Sequence, residues 1–248
     1  MKLPVINLFS TPFEKWEMRN KTFDEMLSSK SHLDWHTMIP VRRLELISNA
    51  VSAAIYVGRV GNDPEFERFI NTTLDNSESY KKWKSAMPSI TPMALRNYQK
   101  KFHNCNLDDV SLTINNIGSV LSEGQYLFHG GHWPHEADGP LKEKFSTVRP
   151  LSTSFCPQIA IRNAAYSGKA YDKGYIDLFV LKTVTPKTKV FSYKRAGTTH
   201  GHENEVLFSA NAQLVLKDKY IVTNCHPVGK NLLKPRKVPI FVFEAEIS

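Results

Sequence analysis

The chain has 248 residues, of which 41% are hydrophobic and 23% are charged. This composition excludes a disordered or fibrous protein and supplies enough apolar residues for one large domain or two small ones. The formal charge of +8 favours a polyanionic ligand such as nucleic acid, a nucleotide or an acidic protein.

The first half of the chain has the apolar spacing of helices. The pairs Asp63-Pro64 and Thr91-Pro92 are typical of a helix start, with a capping side chain followed by proline at the first helical position. Helices are predicted at 38–57, 63–73, 79–86, 91–102 and 110–121.

The second half changes to short runs rich in β-branched and aromatic residues. Strands are predicted at 126–128, 175–184, 189–193, 205–208, 213–216, 220–223 and 238–243, with one helix at 157–166. We therefore expect an α+β protein, with a helical N-terminal region at 1–115 and a β-rich domain at 116–248.

Three short segments of the second half carry candidate chemistry. They are YLFHGG at 126–131, PLSTSF at 150–155 and GHENEVLF at 201–208. Each is common alone, but their order and separation are informative together.

These segments resemble the mono-ADP-ribosyltransferase superfamily over about residues 120–225. In its arginine-type branch, a first strand carries a basic residue before glycine, a second carries Ser-Thr-Ser, and a later strand begins at Glu-x-Glu. The matching residues are His129-Gly130, Ser152-Thr153-Ser154 and Glu203-x-Glu205. Histidine in place of arginine is more like the diphtheria-toxin and poly-ADP-ribose-polymerase branch, which lacks Ser-Thr-Ser. The resemblance implies an ADP-ribosyltransferase-like β-sandwich for 116–248, with NAD as substrate and no metal.

Cleavage of the N-glycosidic bond of NAD⁺ builds positive charge on the ribose, which a nearby carboxylate stabilises. The resemblance makes Glu205 that carboxylate. Alternation along a strand places Glu203 on the same face, where it would orient or deprotonate the acceptor. Ser152 is the third predicted catalytic residue, because its hydroxyl would hold a catalytic carboxylate in one rotamer.

The remaining predicted site residues bind NAD. His129 would donate a hydrogen bond to a ribose hydroxyl or a phosphate, and Gly130 would let the nicotinamide amide approach the backbone. Aromatic rings are needed around the nicotinamide. The predicted cofactor-binding set is His129, Gly130, Ser152, Thr153, Ser154, Phe155 and Tyr166.

A metal site is the competing interpretation of the histidines. His129, His132 and His135 have the spacing HxxHxxH, which differs from the HExxH pattern of helical zinc sites. Trp133-Pro134 also disfavours a helix there. We predict no metal.

The cellular setting is predicted from what the sequence lacks. No apolar run approaches the roughly 18 residues that cross a bilayer, and the N-terminus turns polar too early for a signal peptide. Three sparse cysteines favour reduced thiols over a disulfide framework. We expect a cytoplasmic enzyme, and an active transferase there would act as a toxin unless an antitoxin restrained it.

The acceptor of ADP-ribose is the open question. Residues 121–248 hold 17 Lys and Arg against 11 Asp and Glu, a net charge of +6, and they include a basic run at 230–237. This charge slightly favours nucleic acid, in particular RNA. Glu-x-Glu in the family goes mostly with protein arginine, which stays an alternative. An NAD glycohydrolase and a catalytically inactive binding module are the others.

Overall fold

The computed structural model describes residues 2–28, 38–136, 139–194 and 200–248. The strands there are β1 (Lys2–Leu3), β2 (Phe13–Asn20), β3 (Met38–Ile47), β4 (Ser119–Leu121), β5 (Tyr126–Gly131), β6 (Lys144–Ser146), β7 (Leu151–Ser154), β8 (Ile176–Thr183), β9 (Lys189–Ser192), β10 (Glu205–Phe208), β11 (Gln213–Val228) and β12 (Arg236–Ile247). The helices are α1 (Phe23–Ser28), α2 (Ala50–Val60), α3 (Pro64–Asn76), α4 (Glu78–Ala86), α5 (Met93–Lys100), α6 (Leu107–Ile117), α7 (Pro157–Ala165) and α8 (Lys169–Lys173).

Ten strands form one mixed sheet in the order β1-β4-β9-β10-β7-β5-β8-β12-β11-β6. The β1–β4 and β8–β12 pairs are parallel, and the other pairs of this sheet are antiparallel. Strands β2 and β3 form a separate antiparallel ribbon. Five consecutive helices, α2 to α6, precede most of the strands, and the large sheet is mixed with mostly antiparallel pairs, which confirms the predicted α+β class.

In the middle of the large sheet, strands β5 and β7 share little backbone pairing. Within the described residues, β5 pairs with β7 only where Phe128 lies opposite Ser154. On its other side β5 pairs with β8 over six consecutive positions, from Tyr126 to Gly131. We call the β5–β7 junction the seam, and the predicted site residues lie beside it.

The N-terminal helices pack on this sheet through a shared apolar core. The start signal Asp63-Pro64 is confirmed in α3, where the Asp63 carboxylate accepts from the backbone N–H groups of Glu65 and Phe66 and Pro64 is the first helical residue. The signal Thr91-Pro92 is wrong, because Pro92 itself precedes the first residue of α5 and no side chain caps that helix. Buried residues from both halves of the chain form one cluster. The division into 1–115 and 116–248 stays a prediction. None of the described helices has the length and apolar character needed to span a bilayer.

The helix predicted at 38–57 is wrong for its first half. Met38–Ile47 is strand β3, which pairs with β2, and the helix begins only at Ala50. Val41, Leu44 and Leu46 fit helical spacing, but all three are exposed on the ribbon, so their periodicity marks no buried face. Pro40 and the β-branched residues Ile39, Val41 and Ile47 are the contrary signals that favour a strand.

Two other differences concern strand length and strand number. The strands predicted at 213–216 and 220–223 are one strand, β11, which is irregular in register against β12 near Lys217, Val222 and Asn224. Strands β1, β2, β4 and β6 were not predicted. Three of them have only two or three residues, which is too short for an alternating pattern to show.

Candidate active site

The centre of the site is a carboxylate with a hydroxyl donor on the neighbouring strand. Glu205 opens β10 opposite Ser154 of β7, so Ser152 is its diagonal neighbour on the same face of the sheet. The Ser152 Oγ donates to Glu205 Oε1 at 2.5 Å. This short hydrogen bond fixes the orientation of the carboxylate, as the Ser-Thr-Ser motif led us to expect.

The other oxygen of this carboxylate also has a donor. The amide Nε2 of Gln99, on α5, lies 3.1 Å from Glu205 Oε2. Glu205 is only 6% exposed, and burial raises the pKa of its carboxyl group. Hydrogen bonds from Ser152 and Gln99 act to lower that pKa, while the negative charge of Glu203 raises it further.

His129 lies across the seam from Ser152. Its Nδ1 is 2.6 Å from the carbonyl oxygen of Ser152. A carbonyl oxygen can only accept, so Nδ1 carries the proton and Nε2 carries the lone pair. Burial lowers the pKa of His129 to about 4, so the ring is neutral at neutral pH. His129 can therefore accept a hydrogen bond at Nε2, whereas the sequence led us to expect a donor to ribose or phosphate.

Glu203 is placed by a turn and not by a strand, so the alternation argument for it is wrong. Gly201–Glu203 form a 3-10 turn, and Asn204 then takes a left-handed conformation with φ 49° before β10 begins. The backbone carbonyl of Glu203 accepts from Ser154 Oγ at 2.6 Å. Glu203 still lies close enough to affect the pKa of Glu205, and its side chain is 22% exposed beside His200.

The rest of the Ser-Thr-Ser motif holds the backbone of the site together. Thr153 is buried and its hydroxyl donates to the carbonyl of Val206. Ser154 donates to Glu203 as described and accepts from the N–H of Cys156 at 3.0 Å. Both hydroxyls therefore bind protein groups, and the prediction that these two residues contact NAD remains a prediction.

Gly130 is required by helix packing. A Cβ atom at this position would lie 1.8 Å from the carbonyl oxygen of Ala160 and 2.9 Å from the Cβ of Ala164, both on α7. The absence of a side chain thus lets α7 lie directly on β5. The predicted role of Gly130, close approach of the nicotinamide amide, would be additional to this packing role.

The two predicted aromatic contacts lie in different surroundings. Phe155 is fully buried, with ring centroids 5.8 Å from Tyr80 and 5.3 Å from Trp83, so its ring belongs to the core. Its predicted contact with NAD would have to come from its backbone. Tyr166 follows α7 and is 67% exposed, which leaves its ring accessible.

Sequence reasoning missed the contribution of the N-terminal helices. Besides Gln99, Tyr80 of α4 donates to Asn204 Oδ1 at 3.2 Å, and Asn204 Nδ2 lies 2.8 Å from Asn71 Oδ1 on α3. These helices hold the residue between the two glutamates. Asparagine is enriched in left-handed conformations, so Asn204 itself offered a signal, whereas Gln99 belongs to no motif.

The three histidines of the metal interpretation are spread out. His129 binds Ser152, His135 lies 3.3 Å from the carbonyl of Gly139, and His132 packs edge-on against Tyr175. Over the ranges that the structure describes, no three histidine, cysteine or acidic side chains are grouped as metal ligands would be. Cys105, Cys156 and Cys225 are free thiols.

No protein-family model and no curated protein matches the sequence. Among solved structures, the chain is similar to the ADP-ribosyltransferase Vis with a bound inhibitor, at 14% identity and a TM-score of 0.50, over 78% of this chain and 90% of that one. Vis toxin from Vibrio splendidus also matches, at 14% identity and a TM-score of 0.46, over 75% and 87%. C3larvin toxin, an ADP-ribosyltransferase from Paenibacillus larvae, matches at 12% identity and a TM-score of 0.39, over 69% and 94%. The first of these similarities shows that the chain has the ADP-ribosyltransferase fold.

Proposed function

We propose that this protein cleaves NAD⁺ and transfers the ADP-ribose to a macromolecule. The observation that carries the proposal is the Glu205 carboxylate, buried and held at Oε1 by Ser152, with the imidazole of His129 across the seam. In this fold the pair Ser152 and Glu205 provides what the reaction requires, an oriented negative charge beside a developing cation.

The chemistry would proceed as follows. The N-glycosidic bond breaks with its electron pair going to nicotinamide, and positive charge develops at C1′ of the ribose. Glu205 stabilises that charge in its ionised form. The acceptor then forms a bond to C1′ and loses its proton, which Glu203, on the turn beside the site, would take.

His129 would bind NAD⁺ as a neutral acceptor. Because its Nδ1 proton is committed to Ser152, the free lone pair of Nε2 can accept from a ribose hydroxyl. A neutral ring would add no charge beside the pyrophosphate, so lysine or arginine residues would have to neutralise it. Tyr166 is the exposed aromatic ring of the predicted set and would stack on the nicotinamide.

The acceptor that we favour is nucleic acid, and RNA in particular. The half of the chain that carries Glu205 has a net charge of +6, and neutralisation of phosphates supplies much of the affinity of a nucleic-acid complex. Strand β12 begins within the basic run 230–237, at Arg236, and strand β11 carries Lys217 and Lys219, which are exposed. A protein acceptor has no general need for such a field.

The test is to incubate the protein with a cell lysate and labelled NAD⁺ and to digest the products separately with nuclease and with protease. We expect label that nuclease releases and that falls steeply between about 50 and 200 mM salt, as counterion release requires. The variant Glu205→Gln is the matched negative control.

Three other results would change the proposal. Label that survives nuclease, is lost with protease and depends weakly on salt would assign the acceptor to protein, with arginine the first side chain to examine. Release of nicotinamide without any labelled macromolecule would indicate an NAD glycohydrolase. No release of nicotinamide by the folded protein would refute enzymatic cleavage and leave a binding module.

A further inference from the structure

The contact between Gln99 and Glu205 links the N-terminal helices to the catalytic carboxylate. Ser152 Oγ and Gln99 Nε2 donate to different oxygens of the same carboxylate, at 2.5 and 3.1 Å. The two donors come from separate elements, β7 and α5. Together they fix both the position of the carboxylate and its rotation about the last side-chain bond, which a single donor would leave freer.

Helix α5 is held against the rest of the protein by packing and a hydrogen bond, and it carries Gln99 to the Glu205 carboxylate. Leu95 and Tyr98 are buried on the inner side of the helix. The hydroxyl of Tyr193, directly after β9, donates to the carbonyl of Leu95 at 3.1 Å. The helix is therefore tied to the strand that neighbours β10, and Gln99 lies in its last turn.

The contact leaves room for substrate chemistry. A carboxylate oxygen can accept more than one hydrogen bond, so the donor at Oε2 leaves a lone pair for a ribose hydroxyl. Gln99 is neutral at every pH of interest and brings no opposite charge that would offset the negative charge of Glu205. Its amide thus orients the carboxylate and favours the ionised form by hydrogen bonding alone.

We infer that Gln99 is a positioning residue of the active site, which makes helix α5 part of the catalytic apparatus. This inference rests on the proposed function of Glu205. It gives residues 1–115 a role in the reaction that their sequence does not reveal.

The neighbours of Glu205 determine how a test must be built. The titratable groups that face it are Glu203 and His200 from the turn, Tyr98 from α5 and Tyr193 from the end of β9. Burial raises the pKa of both tyrosines, so they stay neutral in the acidic range. The charge of His200 would act on the pKa of Glu205, so the measurements belong in a His200→Gln background.

The experiment compares Gln99→Leu, which removes the donor at similar size, and Gln99→Glu, which replaces it with a like charge. The control is Asn97→Leu, an exposed position on the same helix. The titration midpoint of the Glu205 carboxyl is followed by carbon NMR, with the signal assigned through its loss in Glu205→Gln. We expect the midpoint to rise by about one pH unit or more in Gln99→Leu, further in Gln99→Glu, and not in Asn97→Leu.

The same order should appear in the acidic limb of the pH profile of kcat, with a smaller change in KM for NAD⁺. Equal midpoints in the His200→Gln protein and in its Gln99→Leu and Gln99→Glu variants would overturn the inference, and either variant alone suffices if the other fails to fold. A rise in kcat of Gln99→Leu at every pH would also overturn it, since the contact would then be inhibitory. Wild-type protein that leaves NAD⁺ intact would overturn the proposed function. This outcome is distinguishable from failure of the inference about Gln99, because the NMR midpoints are measured without substrate.

Discussion

At the scale of single residues, the proposed reaction depends on the charge of Glu205. The change Glu205→Gln keeps the shape and removes the charge, and we expect kcat to fall by at least about 100-fold, the scale for one lost electrostatic stabiliser. Binding of NAD⁺ should change little. The measurement is nicotinamide release, with the exposed Glu123→Gln as control. A folded Glu205→Gln protein with near-normal turnover would remove Glu205 from the mechanism.

The raised pKa of Glu205 also predicts a pH dependence for the proposed reaction. Burial means that the carboxyl takes up its proton at a higher pH than an ordinary glutamate, and only the ionised form stabilises the ribose cation. We therefore expect nicotinamide release to be lost, as the pH falls, at a higher pH than an exposed glutamate would give. His129 does not oppose this trend, because its pKa of about 4 keeps it neutral over the same range.

The role of Glu203 should be distinguishable from that of Glu205 by its effect on two activities, transfer of ADP-ribose and hydrolysis of NAD⁺. We predict that Glu203→Gln impairs transfer to an acceptor much more than hydrolysis of NAD⁺, since water needs less help than a positioned nucleophile. The ratio of labelled product to released nicotinamide is the quantity to measure. If both activities fell by the same factor, the role in acceptor activation would be ruled out.

The sequence predicts these candidate residues because each belongs to a short motif of neighbouring positions. Ser152 and Glu205 were found through Ser-Thr-Ser and Glu-x-Glu, and His129 through the glycine that follows it. Gln99 could not be found this way, since its role depends on how α5 lies against a strand more than one hundred residues later. The Glu203 argument failed for a related reason, because a left-handed residue between the glutamates ended the assumed alternation.

At the scale of elements, the packing of α7 on β5 depends on Gly130. An added methyl group would meet the Ala160 carbonyl at 1.8 Å, so helix and strand would have to separate. Overpacking of this kind costs about 1–3 kcal/mol, and for a chain of this length we expect Gly130→Ala to lower the Tm by at least about 2 °C. The control is Gly229→Ala, where a Cβ meets no atom within 4 Å.

Two outcomes would separate the packing role from the cofactor role. Equal Tm values for Gly130→Ala and Gly229→Ala would contradict the close helix approach. An unchanged Tm together with a higher KM for NAD⁺ would instead favour the predicted contact with nicotinamide.

The elements that were predicted well are those whose sequence pattern reflects which of their residues are buried. Strand β8 is buried at seven of its eight positions, and its run of strand-forming residues predicted it almost to the residue. The β2–β3 ribbon was misjudged because most of its residues are exposed, which leaves no alternation of buried and exposed positions to read.

At the scale of the whole molecule, the proposed activity has a consequence for the cell that contains it. A transferase with access to the cytoplasm would deplete NAD⁺ and modify macromolecules there. We predict that expression of the wild-type chain arrests growth and that Glu205→Gln, or a partner protein that blocks the site, restores it. Growth curves and NAD⁺ levels are the measurements. Unimpaired growth with soluble wild-type protein present would contradict the toxin hypothesis.

The seam in the large sheet divides the site between two groups of strands. Ser152 and Glu205 lie on β7 and β10, to one side, and His129 lies on β5, to the other. Any rotation about the Phe128–Ser154 pair would change the distance from His129 to Glu205 while Ser152 and Glu205 moved as one body. The hydrogen bond from His129 to the carbonyl of Ser152 spans the seam and resists that rotation. The imidazole thus joins the two groups of strands, and in the proposed reaction it would also fix the distance between His129 and Glu205 that is available to the ribose.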